Sequence, residues 1–181
     1  MARKKSVPYP EAFRDALCDS TGPVHFIDPG ITGTGYATWS NMFVDKPTRP
    51  VSSGCIGIAN QSRPWTDRAA HITQILAEDV FDEYGSSLVV IEFPQLWSGS
   101  AKSQASAEKG SLMKLSYLIG MIGQVLAQDK INMLLVSPME WKGQMSKDVV
   151  IRRTKRAFAG WSPRSHDADA VGMALSARGK L

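Results

Sequence analysis

Cysteine is almost absent from this chain: Cys18 and Cys55 are the only two in 181 residues. That is too few, and too unpatterned, for a disulfide framework or a cysteine-built zinc site, so both are read as reduced thiols. Long hydrophobic runs are missing as well, since no stretch reaches the roughly 18 apolar residues that a membrane span needs. The basic start, Met1-Ala2-Arg3-Lys4-Lys5, runs into Ser6-Val7-Pro8-Tyr9-Pro10 with no apolar segment behind it, unlike a secretory signal. The expectation is a soluble, cytoplasmic protein with no membrane partner. Internal repeats and low-complexity tracts are lacking too, and the length suits one domain able to bury a core without staples.

Net charge is small, +4, but it is unevenly spread. Residues 138–181 carry nine Lys and Arg against four Asp and Glu, whereas residues 23–137 carry eight against ten. A basic final third suggests a polyanion partner, although a solvated helix face gives the same count.

Residues 1–22, with Pro8 and Pro10, read as an N-terminal arm holding at most a short helix around Glu11 to Cys18. From residue 23 to 181 the pattern is that of one mixed α/β domain. Val24–Asp28, Thr34–Ser40 and Val51–Ala59 predict three strands in an antiparallel meander, joined by turns rich in Gly and Pro. A helix follows from Pro64 to Tyr84, with Ile72, Ile75, Leu76, Val80 and Phe81 at helical spacing and Gly85 placed to end it. Ser87–Glu92 is a continuous apolar run closed by an acid, as in a central strand buried on both faces. After a Ser- and Gly-rich loop, Phe93 to Ser106, a second helix from Glu108 to Gln128 carries a broad apolar stripe. Its Gly120 and Gly123 permit close approach by a neighbour, either in the core or across a dimer. Ile131–Ser137 predicts a further apolar strand ended by Pro138. Ser146 can cap a basic helix reaching Ala159, and Ser165 a last helix through Ala177.

Three acids stand at comparable places. Asp28 closes the first strand ahead of the turn Pro29-Gly30, where Gly33 and Gly35 let other groups approach the backbone. Glu92 closes the central strand, and Asp169 lies in the first turns of the final helix. Asp-Pro-Gly also occurs in ordinary turns, so Asp28 alone defines nothing. Adjacent strand ends and the start of a helix laid across the sheet can bring all three together. Clustered carboxylates need a cation, and oxygen ligands of this kind suit Mg²⁺ or Mn²⁺. Two such ions fit phosphodiester hydrolysis. At about 100° per residue, His166 lies roughly 60° around the helix from Asp169 and Asp167 about 160° away. His166 therefore joins Asp28, Glu92 and Asp169 as a catalytic and metal-site candidate, while Asp167 is read as an acid favoured by the helix dipole. A capping or surface role for His166 stays open. Lys142, Lys147, Arg152 and Arg153 are the candidates for holding a nucleic-acid backbone.

Asp28-Pro29-Gly30 with Thr34-Gly35-Tyr36-Ala37, Ile91-Glu92, and His166-x-x-Asp169-Ala170, in this order, resemble the motifs of the RuvC-type Holliday junction resolvases of the RNase H-like superfamily. The resemblance covers most of the chain after residue 22. It implies a mixed five-stranded sheet flanked by helices, and a homodimer that nicks two opposing strands of a four-way DNA junction with Mg²⁺ or Mn²⁺. It also implies DNA contacts by Lys142 and Lys147, and an aromatic wedge after the second acid. Phe93 and Trp97 lie near that wedge position without matching it, and base stacking by Trp97 is an expectation. The N-terminal arm and Pro94 depart from the family pattern. Other readings are a nuclease of the same fold acting on other branched DNA or RNA–DNA hybrids, and a non-catalytic nucleic-acid-binding domain. An ATP-binding phosphotransferase of the actin and sugar-kinase type also begins with Asp-x-Gly, but this chain is too short for its two lobes.

Overall fold

The computed structural model describes residues 17, 19–41, 49–94, 110–158, 161 and 165–179. Five strands, β1 (Val24–Asp28), β2 (Gly33–Trp39), β3 (Ser52–Gly57), β4 (Leu88–Glu92) and β5 (Asn132–Val136), form one sheet in the order β3-β2-β1-β4-β5. The first three make the expected antiparallel meander, and β4 and β5 add in parallel. The helices are α1 (Trp65–Ile75), α2 (Ser111–Gln128), α3 (Pro138–Trp141), α4 (Lys147–Ala157) and α5 (Ser165–Ala177).

Successive strand residues point to opposite faces, and two cores follow from that alternation. On one face Val24, Phe26, Trp39 and Val90 pack against Val171, Met173 and Ala174 of α5, Val150 of α4 and Trp141 of α3. On the other, Ile27, Ile56, Val89 and Ile91 pack against Ile72 and Ala69 of α1 and Leu118, Ile122 and Leu126 of α2. The central strands β1 and β4 are thus buried on both sides, as their continuous apolar runs require. Leu17, within the sequence read as an arm, is fully buried in the first core; residues 1–16 and 18 lie outside the described residues. His25 is buried on β1, its Nε2–H donating to the Gly85 carbonyl at 2.8 Å while Nδ1 lies 2.9 Å from Thr38 Oγ1. Among the described residues no helix is long and apolar enough to cross a membrane.

Two elements differ from expectation, and a third, β5, takes a place in the sheet that no expectation covered. The helix predicted from Pro64 to Tyr84 is α-helical only to Ile75 and continues as a π-helical segment, Leu76–Asp82. The wider turn lets both Val80 and Phe81 join Leu76 in the core. Pro138 does not simply end β5 but opens α3, whose N-terminus is closed by a capping box: Ser137 N–H donates to Glu140 Oε2 at 2.6 Å, and Glu140 N–H to Ser137 Oγ at 3.4 Å. And β5 is an edge strand, with Met133 and Leu135 exposed despite its apolar sequence.

Candidate active site

Strand register builds the site. Because Ile27 pairs with Ile91, the next residues, Asp28 and Glu92, stand side by side at the ends of two parallel strands. Their parity matches Phe26 and Val90, so both carboxylates lie on the face covered by α5. Directly opposite Asp28 across the β1–β2 ladder is Gly35. A Cβ there would lie 2.7 Å from the backbone nitrogen of Asp167 and closer still to the His166 carbonyl. Only glycine allows the first turn of α5 to settle onto the sheet at this point, and that turn carries His166 and Asp169.

His166 Nδ1 sits 2.7 Å from Asp28 Oδ2. The hydrogen bond to Asp28 raises the imidazole pKa above its usual 6.5, with burial opposing and the Asp28 charge assisting. Glu92 is held through one oxygen: Oε2 accepts the indole N–H of Trp141 at 2.7 Å and lies 3.5 Å from Lys142 Nζ. Burial, then the charge of Asp28, pushes its pKa up to about 7 against the lowering effects of Lys142 and Trp141. Asp169 is buried, with Oδ2 3.5 Å from Lys147 Nζ and Oδ1 without a hydrogen-bond partner among the described residues. Its pKa is also raised, by burial first, with Lys142 lowering it and Asp28 raising it.

The four acidic and histidine candidates from the sequence are therefore gathered at one end of the sheet, but they do not form a closed ligand cage. Among the described residues no three His, Cys, Asp or Glu converge closely enough to hold a metal ion ready-made. Each acid instead carries a nitrogen partner: His166 on Asp28, Trp141 and Lys142 on Glu92, Lys147 on Asp169. Lys142 and Lys147 thus touch the acids as well as lying toward the basic side. Arg152 and Arg153 stand exposed on α4, and Trp97 lies outside the described residues. Asp167 is buried and accepts the Ala168 N–H, lining a cavity with Tyr36, Cys55 and Asp79. Sequence reasoning missed Trp141, although Ser137-x-x-Glu140 immediately before it is a readable capping box.

The donor set suits a hard divalent cation. It offers three carboxylates and an imidazole, the charge of Asp28 raises the pKa of both Glu92 and Asp169, and a buried carboxylate oxygen lacks a partner among the described residues.

No protein-family model matches the sequence, and no curated protein does. Solved structures do match. T. thermophilus RuvC, in complex with a Holliday junction substrate, aligns with a TM-score of 0.66 at 21% identity, covering 86% of this chain and 91% of that one. The yeast mitochondrial Holliday junction resolvase aligns at 0.59 and 15%, covering 92% and 82%. The fowlpox virus resolvase, in complex with its substrate Holliday junction DNA, aligns at 0.53 and 14%, covering 87% and 99%. The chain has an RNase H-like fold, a mixed five-stranded sheet flanked by helices. That fold is shared with these Holliday junction resolvases.

Proposed function

We propose that the chain is a metal-dependent endonuclease that resolves four-way DNA junctions by nicking two strands symmetrically, a cytoplasmic enzyme of DNA recombination and repair. The observation that carries this reading is the meeting of Asp28, Glu92, His166 and Asp169 at the ends of β1 and β4, with Lys142 and Lys147 each 3.5 Å from an acid. Asp28, Glu92 and Asp169 would hold two Mg²⁺ or Mn²⁺ ions, with His166 at their side. When bound, such ions supply an activated water and stabilise the leaving 3′ oxygen.

The protein's own groups do the rest. Asp28 holds His166 at hydrogen-bond distance and favours its protonated form, which neutralises the acid. Lys142 and Lys147 balance Glu92 and Asp169 from the side of α3 and α4, and they are free to meet a phosphate once a cation takes over that role. Arg152 and Arg153 extend the basic surface along α4. Trp97 is assigned base stacking near the junction centre.

Symmetric nicking needs two sites, and a homodimer supplies them. Exposed Met113 and Tyr117 on α2, Met133 and Leu135 on β5, and Phe93 offer apolar surface for the second copy. Gly123 sits against Met133, while Gly120 opens onto free space.

Incubating the protein with labelled four-way junction, flap, duplex and RNA–DNA hybrid, each with and without Mg²⁺ or Mn²⁺, tests the reading. Paired nicks in the junction alone, and only with metal, are expected. Preferred cutting of flaps or hybrids would assign another substrate, and binding without cutting any of them would make this a nucleic-acid-binding domain.

A further inference from the structure

We propose that Trp141 is a positioning residue of the active site: its indole N–H fixes Glu92, and its ring ties that acid to the helix carrying His166 and Asp169. The inference rests on the metal-site reading above and adds a residue outside its set of acids and cations.

Trp141 is buried, 3% exposed, and anchored on every side. The capping box of Ser137 and Glu140 fixes the start of α3, and with it the Trp141 backbone. Its carbonyl accepts the Ser176 hydroxyl from α5 at 2.6 Å. Its ring lies so close to α5 that a Cβ at Gly172 would come within 2.8 Å of Cζ3. Indole has one donor and no acceptor, and a buried indole N–H seeks one partner. Here that partner is Glu92 Oε2, at 2.7 Å, in a charge-assisted hydrogen bond.

Lys142 reaches the same oxygen, but at 3.5 Å, from a flexible stem whose Nζ lies over the Trp141 ring, 4.6 Å from its centroid. The two donors therefore differ in kind. Lys142 can swing toward a phosphate, whereas Trp141 cannot leave without dismantling α3 and the α5 contact. With Oε2 pinned by a rigid group, Glu92 keeps one orientation and Oε1 is the oxygen a cation can take. Groups that orient metal-binding carboxylates in this way are typically worth about 10- to 100-fold in metal affinity or activity.

The test replaces Trp141 by β-(3-benzothienyl)alanine, which keeps the ring shape and removes the donor, alongside Trp141→Phe. Mn²⁺ binding to the DNA-free protein is followed by the free-Mn²⁺ paramagnetic signal, with thermal melting and metal-free junction binding measured in parallel. Both variants should bind Mn²⁺ about 10- to 100-fold more weakly, and show lower kcat at unchanged junction KM. Melting and metal-free junction binding of the benzothienyl variant should match wild type. Mn²⁺ affinity within twofold of wild type in the folded benzothienyl variant overturns the positioning role while leaving the metal site standing. Wild-type protein that takes up no Mn²⁺ overturns the metal site, and this role with it.

Discussion

Gly35→Ala is a one-methyl perturbation aimed at the place where α5 rests on the sheet. Ordinary Cβ contacts begin at 3.4 Å, whereas the added carbon would lie 2.7 Å from Asp167 N and nearer still to the His166 carbonyl. Clearing Asp167 N alone requires a retreat of about 0.7 Å, and clearing the carbonyl more than about 1 Å. A shift of that size along the contact would stretch the 2.7 Å bond between His166 and Asp28 past hydrogen-bonding distance. It would also carry Asp169 away from Asp28 and Glu92. Misplacement by about 1 Å costs roughly 10²-fold in rate, or about 2.7 kcal/mol of barrier. Overpacking should cost about 1–3 kcal/mol of stability, so the comparison belongs well below the melting temperature. Initial rates of junction nicking with Mg²⁺ give the answer. Gly57→Ala on the neighbouring strand is the control, because a Cβ there meets nothing within 4 Å. If folded Gly35→Ala nicks within about threefold of wild type, the close contact of α5 with β2 does not set the site.

Asp28→Asn, Glu92→Gln and Asp169→Asn should each abolish nicking while keeping most junction binding, as shown by parallel cleavage and mobility-shift gels. Any variant that still cuts with Mg²⁺ removes its residue from the metal site. Lys142→Ala and Lys147→Ala should bind the junction more weakly and lower the salt slope of binding by about 1 each; an unchanged slope excludes phosphate contact. Burial lowers the pKa of His25 below 6.5, so the unfolded chain takes up a proton at a pH where the folded one does not. Stability from this residue is then fully present above 6.5 and is lost as pH falls toward the folded pKa. Melting temperature should drop more for wild type than for His25→Gln between about pH 7.5 and about pH 5.5, and equal drops would show that His25 does not carry the effect.

How legible this molecule is in its sequence depends on the range of the interaction involved. Asp28 and Glu92 each close an apolar run, and period-two alternation already puts each on the face of its strand's preceding even-numbered residues. Parallel pairing of β1 with β4 then makes them neighbours. The 100° rule separates His166 and Asp169 from Asp167, and Asp167 lines a cavity with Tyr36, Cys55 and Asp79. Trp141 was not legible as a partner of Glu92 because 49 residues separate them, and it is the parallel pairing of β4 with β5, setting Glu92 against Val136 just ahead of α3, that brings them together. The π-helical segment was hidden because Val80 and Phe81 fit an α-helical stripe almost as well as a π-helical one. The edge position of β5 was not legible in its apolar run, because sequence does not distinguish a strand covered by its own chain from one whose outer edge is open.

The basic final third gained a different meaning from its charge count. Of its nine cations, Lys142 and Lys147 lie against the acids, while Arg152, Arg153, Lys155 and Arg156 stand exposed on α4. Two roles that look separate in the sequence, an acidic cation site and a basic surface for polyanions, thus share residues. On the proposed reading, Lys142 and Lys147 would be freed for phosphate where a divalent cation took their place at Glu92 and Asp169, and a lysine drawn to a phosphate would leave its carboxylate with a stronger demand for a cation. Metal and DNA would then bind with positive coupling, and linkage requires that coupling to be equal in both directions. Trp141 makes the exchange workable, because it keeps Glu92 in place while Lys142 comes and goes.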